Sequence, residues 1–249
     1  MKFTVITATY NNQNTIADTI DSVISQTYTN IEHIIIDGKS SDNTISVIEK
    51  KTDKVTKIIS EKDSGIYDAL NKGINEATGD VIVFLHADDI FGNETIIEKA
   101  SKLFMKTKAD GIYGDLQYVS KEDTNKIIRH WKAGTYSFCK LKTGWMPPHP
   151  TFFIKKEIYD KYGLFDTNFS IAADYDIILR FLGKYKINTA YLPEVMIKMR
   201  IGGKSNKNIK NIKLKMKEDI KALKKNRIGG IHTVFLKNII KIPQLFVKS

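Results

Sequence analysis

The chain has 249 residues, of which 42% are hydrophobic and 27% are charged, and it contains a single cysteine, Cys139. This composition is typical of a globular protein with a sizeable core, and it excludes a wholly disordered or collagen-like chain. A lone cysteine excludes an intramolecular disulfide and a multi-cysteine zinc site, and it favours a reducing compartment.

The formal net charge of +11 is confined to one end of the chain. Residues 1–203 carry 26 basic and 26 acidic side chains, whereas residues 204–249 carry 13 Lys and Arg against only Glu218 and Asp219. A neutral body with a basic tail argues against a nucleic-acid partner. We expect one domain over 1–203 and a basic C-terminal extension over 204–249.

No targeting or membrane-spanning segment is predicted. The apolar stretch after Met1 is too short for a signal-peptide core and lacks a cleavage site. No apolar run approaches the ~18 residues that would span a bilayer. The expected location is the cytoplasm, with the basic tail allowing peripheral contact with the inner face of the membrane.

The first half of the chain alternates short β-branched runs with amphipathic stretches. Strands are predicted at 3–9, 32–37, 55–60 and 80–86. Helices are predicted at 15–26, 42–50, 66–77 and 94–106, with Asp42 capping the second. This order predicts a parallel, doubly wound α/β sheet.

The second half has a different pattern. An antiparallel pair is predicted at 111–120 and 126–131, followed by an irregular stretch at 133–150 that contains Gly and Pro. A short segment at 150–154, helices at 155–162 and 173–184, and strands at 187–192 and 195–199 complete the domain.

Polar side chains follow each of the four predicted strands of the first half, where open α/β sheets bind ligands. The sequence contains neither a P-loop nor a dinucleotide-binding glycine motif, so a bound phosphate would need a cation. Asp88 and Asp89 follow a buried strand, and paired carboxylates suit Mg²⁺ or Mn²⁺. The alternative is that they only favour the start of the next helix.

Six short motifs together resemble family 2 glycosyltransferases of GT-A fold, over residues 1 to about 205. They are Ala8-Thr-Tyr-Asn11, Ile34 to Thr44, Gly65 to Gly73, Ala77-Thr-Gly-Asp80, Leu85-His-Ala-Asp-Asp89 and Ala172-Ala-Asp-Tyr-Asp176. Within that family the chain is similar to bacterial enzymes of exopolysaccharide, O-antigen and colanic-acid-type biosynthesis.

The resemblance implies a mostly parallel sheet flanked by helices. It also implies a nucleotide-diphospho-sugar donor, which we interpret as UDP-linked. It further implies a divalent cation, Mn²⁺ or Mg²⁺, and inverting transfer to a hydroxyl of a glycan or lipid-linked acceptor. Asp89 matches the metal ligand, and Asp88 beside it matches a contact to ribose or sugar hydroxyls. Gly38 stands where many members have a second acid that meets the base.

Further donor-binding positions follow from the same resemblance. They are Ala8, Thr9, Tyr10 and Asp37 for base and ribose, Asp63, Asp68 and Lys72 near the nucleotide, and Arg200 in a segment that closes over the diphosphate. Lys72 is equally interpretable as a surface lysine, and the segment of Arg200 as a plain exit from the domain.

Asp174 matches the family's catalytic base, and Asp176, two residues on, is interpreted as a structural carboxylate. Trp145 and His149 lie in a proline-rich loop and are acceptor-side candidates. The alternative for Trp145 is a local anchor of that loop.

The tail shows amphipathic spacing. Apolar residues recur in it at Ile209, Ile212, Met216, Ile220 and Leu223 among lysines, and a more apolar segment covers 234–246. This pattern suits an interfacial helix on an anionic membrane. It equally suits packing on the domain itself or on a second subunit of a homo-oligomer.

Two rival functions remain. A sugar nucleotidyltransferase would require a glycine-rich basic motif near the first strand, where this chain has Thr7-Ala-Thr-Tyr-Asn-Asn12. A non-catalytic module would use the basic tail to bind a membrane surface or nucleic acid, with the sheet as its scaffold.

Overall fold

The computed structural model describes residues 1–202 and 209–241, with side chains at 1–202 and 211–237. Part of the predicted tail lies outside the described residues. This applies to the chain at Gly203 to Ser205, the side chains of Ile209, Ile239 and Ile240, and the apolar residues Ile242, Leu245 and Phe246.

The described residues form one mixed sheet of nine strands flanked by helices. The strands are β1 Phe3–Thr9, β2 Ile31–Asp37, β3 Lys57–Ser60, β4 Val81–Phe84, β5 Asp89–Phe91, β6 Gly111–Val119, β7 Ile127–Trp131, β8 Phe153–Lys155 and β9 Thr189–Arg200. Their order is β3-β2-β1-β4-β8-β6-β9-β5, and β7 pairs with β6. Strands β1 to β4 are parallel, as predicted, and β8 continues the sheet antiparallel to β4.

The helices are α1 Ile16–Ile24, α2 Thr44–Glu49, α3 Ile66–Glu76, α4 Ile96–Thr107, α5 Phe138–Lys142, α6 Lys156–Tyr162, α7 Ala173–Ile178, α8 Ile209–Lys225 and α9 Ile231–Lys241. A π-helical segment, Leu179–Lys184, continues α7, so the predicted helix at 173–184 is formed by two helix types.

Alternate residues of β1 enter two hydrophobic layers, because successive side chains of a strand point to opposite faces. Ile6 and Ala8 pack with residues of α3, α6 and α7 on one face. Phe3 and Val5 pack with residues of α4 on the other face. A smaller cluster under α1 and α2 contains Ile35 from β2. The carboxyl ends of β1, β2 and β4 therefore open at one edge, with helices covering both faces.

Three details of the prediction after β4 are wrong. The strands predicted at 187–192 and 195–199 form one strand, β9, because the register against β6 shifts where Pro193 and Glu194 bulge out. The stretch predicted as irregular contains α5. Strand β5, which pairs with β9, was not predicted, because its three residues are too few to show a periodic pattern.

The C-terminal helices contact the domain. Ala222 and Leu223 of α8 and Val234 of α9 are buried in the same cluster as residues of α7. Ile212 and Met216, by contrast, stay exposed, so the apolar stripe predicted for α8 divides between core and surface. In the described part of the chain, every helix is too short or too polar to cross a bilayer.

Candidate active site

The loops after β1 and β2 are joined by hydrogen bonds. The side-chain oxygen of Asn11, a residue with φ of 56°, accepts the backbone N–H of Ser41 at 2.9 Å, and its own N–H donates to Ser40 Oγ at 2.8 Å. Asp42 accepts the N–H of Gln13 and that of Thr44, the first residue of α2. The structure thus brings the predicted first and second strand ends together.

The predicted base and ribose positions lie at this junction. Ala8 and Thr9 are buried at the end of β1, and Tyr10, which follows them, is 53% exposed. Asp37, at the end of β2, is fully buried and accepts the Ser40 N–H at 3.0 Å and the Ser60 hydroxyl at 2.7 Å. The Asp37 carboxylate therefore orders the loop that follows β2.

Gly38 allows Asp63 to approach closely. A Cβ atom on residue 38 would lie 2.5 Å from Asp63 Oδ2, so any larger residue would displace that carboxylate. Asp63 Oδ1 also accepts the Gly65 N–H at 3.0 Å. The Asp63 carboxylate thus lies beside the position where many family members carry their second acid.

The ammonium of Lys72, on α3, contacts the loop before this helix and an acid of the helix itself. It is 2.7 Å from Glu61 Oε1 and 3.7 Å from Asp68 Oδ2, and it donates to the Lys62 carbonyl at 3.1 Å. The hydrogen bond to Glu61, together with the charge of Asp68, raises the pKa of Lys72. These contacts agree with the interpretation of Lys72 as a surface lysine.

Asp88 and Asp89 differ in exposure. Asp88 is partly exposed in the turn after β4, whereas Asp89 begins β5 and is 1% exposed. Asp89 Oδ1 accepts the Arg200 N–H at 3.2 Å, and Oδ2 is buried with no hydrogen-bond partner among the described residues. Burial, with a further contribution from the charge of Asp88, raises the pKa of Asp89 well above its usual value.

The guanidinium of Arg200 is held by the surrounding loops and by α1. It donates to the carbonyls of Asp88 at 2.9 Å and Lys121 at 3.2 Å, and pairs with Asp18 of α1. The side chain is 6% exposed. Since it lies in β9, beside β5, Arg200 fixes the turn that carries Asp88.

Asp174 lies in the first turn of α7, partly exposed. Its Oδ1 accepts the Tyr175 N–H at 2.8 Å and lies 3.3 Å from the hydroxyl of Tyr67, on α3. Asp176, by contrast, is fully buried. Its carboxylate accepts hydrogen bonds from Asn226 Nδ2 at 2.9 Å and from Lys225 Nζ at 3.2 Å. These contacts fit the structural role predicted for Asp176.

Two histidines lie between these acids. Burial lowers the pKa of His86, while the charges of Asp88 and Asp174 act in the opposite direction. Burial lowers the pKa of His149 to about 4, against the charge of Asp174. The two rings are 6.1 Å apart, and His149 also stacks on Phe84. The His149 imidazole is therefore neutral at pH 7 and is available as a hydrogen-bonding group.

Trp145 anchors its loop. The indole N–H donates to the Ala133 carbonyl at 2.8 Å, and the ring stacks on Tyr136 with centroids 5.6 Å apart. These contacts agree with the local-anchor interpretation of Trp145.

In the part of the chain that the structure describes, no cluster of three or more His, Cys, Asp or Glu forms a ready metal site. The residues nevertheless fit a divalent cation in another respect. The carboxylate of Asp88 is partly exposed beside the buried Asp89, so it offers a divalent cation an accessible oxygen ligand.

Residues 4–167 match Glycosyl transferase family 2. The chain belongs to this family.

Curated relatives agree with this membership. An uncharacterized glycosyltransferase of Mycobacterium tuberculosis is 32% identical over 178 residues, covering 71% of this chain and 67% of the relative. A PGL/p-HBAD biosynthesis glycosyltransferase of Mycobacterium bovis is 27% identical over 209 residues, covering 82% and 79%. The predicted family and the glycosyltransferase class of the enzyme are thus confirmed.

Two solved structures share the fold of this chain. S. aureus TarS with UDP-GlcNAc has a TM-score of 0.67 at 16% identity, over 90% of this chain and 66% of that chain. A longer TarS chain was also solved, and this chain spans 40% of it. A mannosyltransferase of Pyrobaculum calidifontis, with GDP-Man and Mn²⁺, has a TM-score of 0.63 at 17% identity, over 98% and 73%. The predicted GT-A fold is confirmed.

Within this family 2 domain, three residues near the candidate acids were not predicted. Tyr67 reaches Asp174 from α3. Tyr118 and Arg129 face each other across β6 and β7, and the guanidinium lies 5.0 Å from the Tyr118 ring. Burial raises the pKa of Tyr118, Arg129 lowers it, and Asp89 and Asp174 raise it further. The sequence predicted only that 111–120 pairs with 126–131. This pairing does not show which residues of the two strands lie opposite each other.

Proposed function

We propose that this chain transfers a sugar, with inversion, from a nucleotide-diphospho-sugar donor to a hydroxyl of a glycan or lipid-linked acceptor. The observation that best supports this proposal is the family 2 match over residues 4–167. Within the domain, Asp88 and Asp174 come from distant segments and both lie close enough to His86 for their charges to act on it, so a carboxylate suited to a cation and one suited to proton removal lie near the same imidazole.

Asp174 is the proposed base. The acceptor hydroxyl gives its proton to the Asp174 carboxylate while its oxygen bonds to the anomeric carbon. The bond from that carbon to the diphosphate breaks on the opposite side, and the nucleoside diphosphate leaves with the electron pair. The position of Asp174 at a helix start, partly exposed, supports this role.

We assign the cation, Mn²⁺ or Mg²⁺, to Asp88 and not to Asp89, the residue matched from sequence. Asp89 is nearly fully buried, and its Oδ1 is held by the Arg200 backbone. Asp88 is partly exposed, so a hydrated ion can reach it. A bound cation supplies positive charge against the departing diphosphate. Asp89 and Arg200 hold the turn that presents Asp88.

The donor is proposed to bind beside the strand-end residues Ala8, Thr9, Tyr10 and Asp63, with the buried Asp37 holding the adjacent loop, and a UDP-sugar is the proposed donor. The TarS structure with UDP-GlcNAc supports a uridine nucleotide, whereas the mannosyltransferase structure with GDP-Man makes guanosine the alternative. His149, as a neutral imidazole, is the proposed acceptor-side contact.

A thermal-shift panel tests the donor. UDP-, GDP- and dTDP-sugars are added to the full chain with and without Mn²⁺, because a ligand that binds the native state raises its apparent Tm. We expect one UDP-sugar to raise Tm only when Mn²⁺ is present. No shift with any donor would contradict the proposal.

The acceptor is proposed to be an intermediate of surface polysaccharide synthesis, carried on an anionic membrane that the tail contacts peripherally from the cytoplasmic side. Both tail acids, Glu218 and Asp219, are buried, so the charges that the described tail exposes are cationic. Exposed apolar side chains accompany them, at Ile212, Leu214, Met216, Ile231, Phe235 and Leu236. Cations beside apolar side chains suit an anionic interface.

Vesicle sedimentation tests this contact. The full chain should pellet with phosphatidylglycerol vesicles at low salt, and a variant with Phe235→Ser and Leu236→Ser should pellet less. Met105→Ser is the matched control, since Met105 is an equally exposed apolar residue on α4. Equal pelleting of all three proteins would contradict membrane contact through the tail.

A further inference from the structure

Glu218 of α8 binds three consecutive backbone N–H groups of the domain. Its Oε1 accepts the N–H of Ser170 at 2.9 Å, and its Oε2 accepts those of Ile171 at 2.8 Å and Ala172 at 2.9 Å. The side chain is 7% exposed. Ala172 is the residue directly before α7, so Glu218 fixes the chain where that helix begins.

A second contact joins the C-terminal end of α8 to the first turn of α7. Asp176, fully buried, accepts hydrogen bonds from the Asn226 amide and the Lys225 ammonium. Asp174 lies between the segment bound by Glu218 and the carboxylate bound by Asn226. One contact from α8 and one from its C-terminal end therefore flank Asp174.

A third contact connects Glu218 to the Asp174 carboxylate. The carbonyl of Ile171, whose N–H binds Glu218, accepts the Tyr67 hydroxyl at 2.6 Å. The Tyr67 oxygen lies 3.3 Å from Asp174 Oδ1. One peptide segment, fixed by Glu218, thus also fixes the phenol that touches Asp174.

We propose that Glu218 is a positioning residue for Asp174, so that the C-terminal extension forms part of the catalytic site. This inference rests on the proposed function, in which Asp174 is the base. Hydrogen bonds from N–H to a carboxylate are charge-assisted and stronger than neutral ones. Small displacements of a catalytic group are costly, since a shift of about 1 Å can reduce the rate by about 100-fold.

The first test needs no substrate. Amide hydrogen exchange is measured on the full chain for the parent, Glu218→Gln and Lys217→Gln. Lys217 is the matched control, because it is the preceding residue and is exposed. The amides of residues 170–172 should exchange at least about tenfold faster in Glu218→Gln and unchanged in Lys217→Gln. Unchanged exchange in Glu218→Gln would overturn the proposal.

The second test measures kinetics with the donor that gives the largest thermal shift. Glu218→Gln should lower kcat by about 10- to 100-fold with donor KM within about twofold of the parent, because the base is misplaced while the donor pocket is intact. Glu218→Asp, which keeps the charge with a shorter reach, should fall between the two. If kcat is unchanged, or if KM rises as much as kcat falls, Glu218 does not position the base.

Asp174→Asn is run in parallel to separate the two proposals. If Asp174→Asn is inactive while Glu218→Gln keeps the parental kcat, only the positioning role is lost. If Asp174→Asn keeps the parental kcat, the assignment of the base is lost, and the positioning role with it. Should Glu218→Gln lose its cooperative unfolding transition, Glu218→Asp is used for both measurements.

Discussion

The hydroxyl of Tyr67 donates to the Ile171 carbonyl at 2.6 Å and shares the same hydrogen with Asp174 Oδ1 at 3.3 Å. Burial and the charge of Asp174 raise the pKa of Tyr67 above its usual value, so the phenol stays protonated. The phenol therefore orients the carboxylate through a shared hydrogen bond while it remains protonated.

Tyr67→Phe tests this orientation. The ring should keep its stack on Phe165, which has a centroid distance of 5.5 Å, while the hydroxyl contact is lost. We expect kcat to fall about 3- to 30-fold, the equivalent of one hydrogen bond, with donor KM unchanged. Steady-state kinetics measure this split. A parental kcat would show that the phenol does not orient the base.

The assignment of the cation to Asp88 predicts a difference between neighbouring variants. Asp88→Asn should weaken Mn²⁺ binding at least about tenfold, because the accessible ligand is lost. Asp89→Asn should leave Mn²⁺ affinity within about threefold, because the amide oxygen can still accept the Arg200 N–H. Isothermal titration in the presence of the donor measures both. The reverse order would return the ion to Asp89, as the sequence suggested.

Arg200 should matter for stability more than its partner Asp18. Arg200→Ala removes a buried guanidinium with three partners and should lower the free energy of unfolding by about 3 kcal/mol. Asp18, whose side chain is 57% exposed, keeps an oxygen that can accept from the guanidinium in Asp18→Asn, so this change should cost less than about 1 kcal/mol. Urea unfolding compares them. Equal losses would mean that the two carbonyl contacts contribute nothing.

Glu32, at the opposite end of the sheet, makes the free energy of unfolding depend on pH. Burial opposes its ionisation, but hydrogen bonds from Thr4, Thr78 and Lys2 outweigh burial and lower the pKa of Glu32 from 4.5 to about 2. The folded state thus favours the carboxylate, so this stability is present above pH 4.5 and is lost as the pH falls towards 2.

Glu32→Gln should therefore flatten the pH dependence of unfolding in that window. The parent should lose up to about 3 kcal/mol more than the variant between pH 5 and pH 2. Urea unfolding at a series of pH values measures both slopes, and sugar transfer at pH 7 should be unaffected. Parallel slopes in the two proteins would contradict the role of Glu32.

The sequence predicted the first half of the fold well, because β1, β2, α1 and α3 have strong local periodicity. It failed at β9, since Pro193 resembles a strand end whereas the sheet absorbs it as a bulge. The local sequence also does not show whether a given side chain is buried or exposed. The adjacent acids Asp88 and Asp89 differ in exposure only because β5 pairs with β9.

The rest of the site depends on contacts between distant segments. Glu218 meets Ile171 from 47 residues away, and Arg200 meets Asp88 from 112 residues away. No pattern within the tail distinguishes Glu218 from a surface acid. Such contacts arise only after the helices pack, and the basic tail therefore suggested a location for the protein and not a part in its site.

The kinetics of Asp174→Asn test the central claim most directly. With the donor identified by thermal shift, the variant should keep the donor Kd within about twofold and lose at least about 100-fold in kcat, because the amide cannot accept the acceptor's proton. A kcat within a few-fold of the parent would contradict the account.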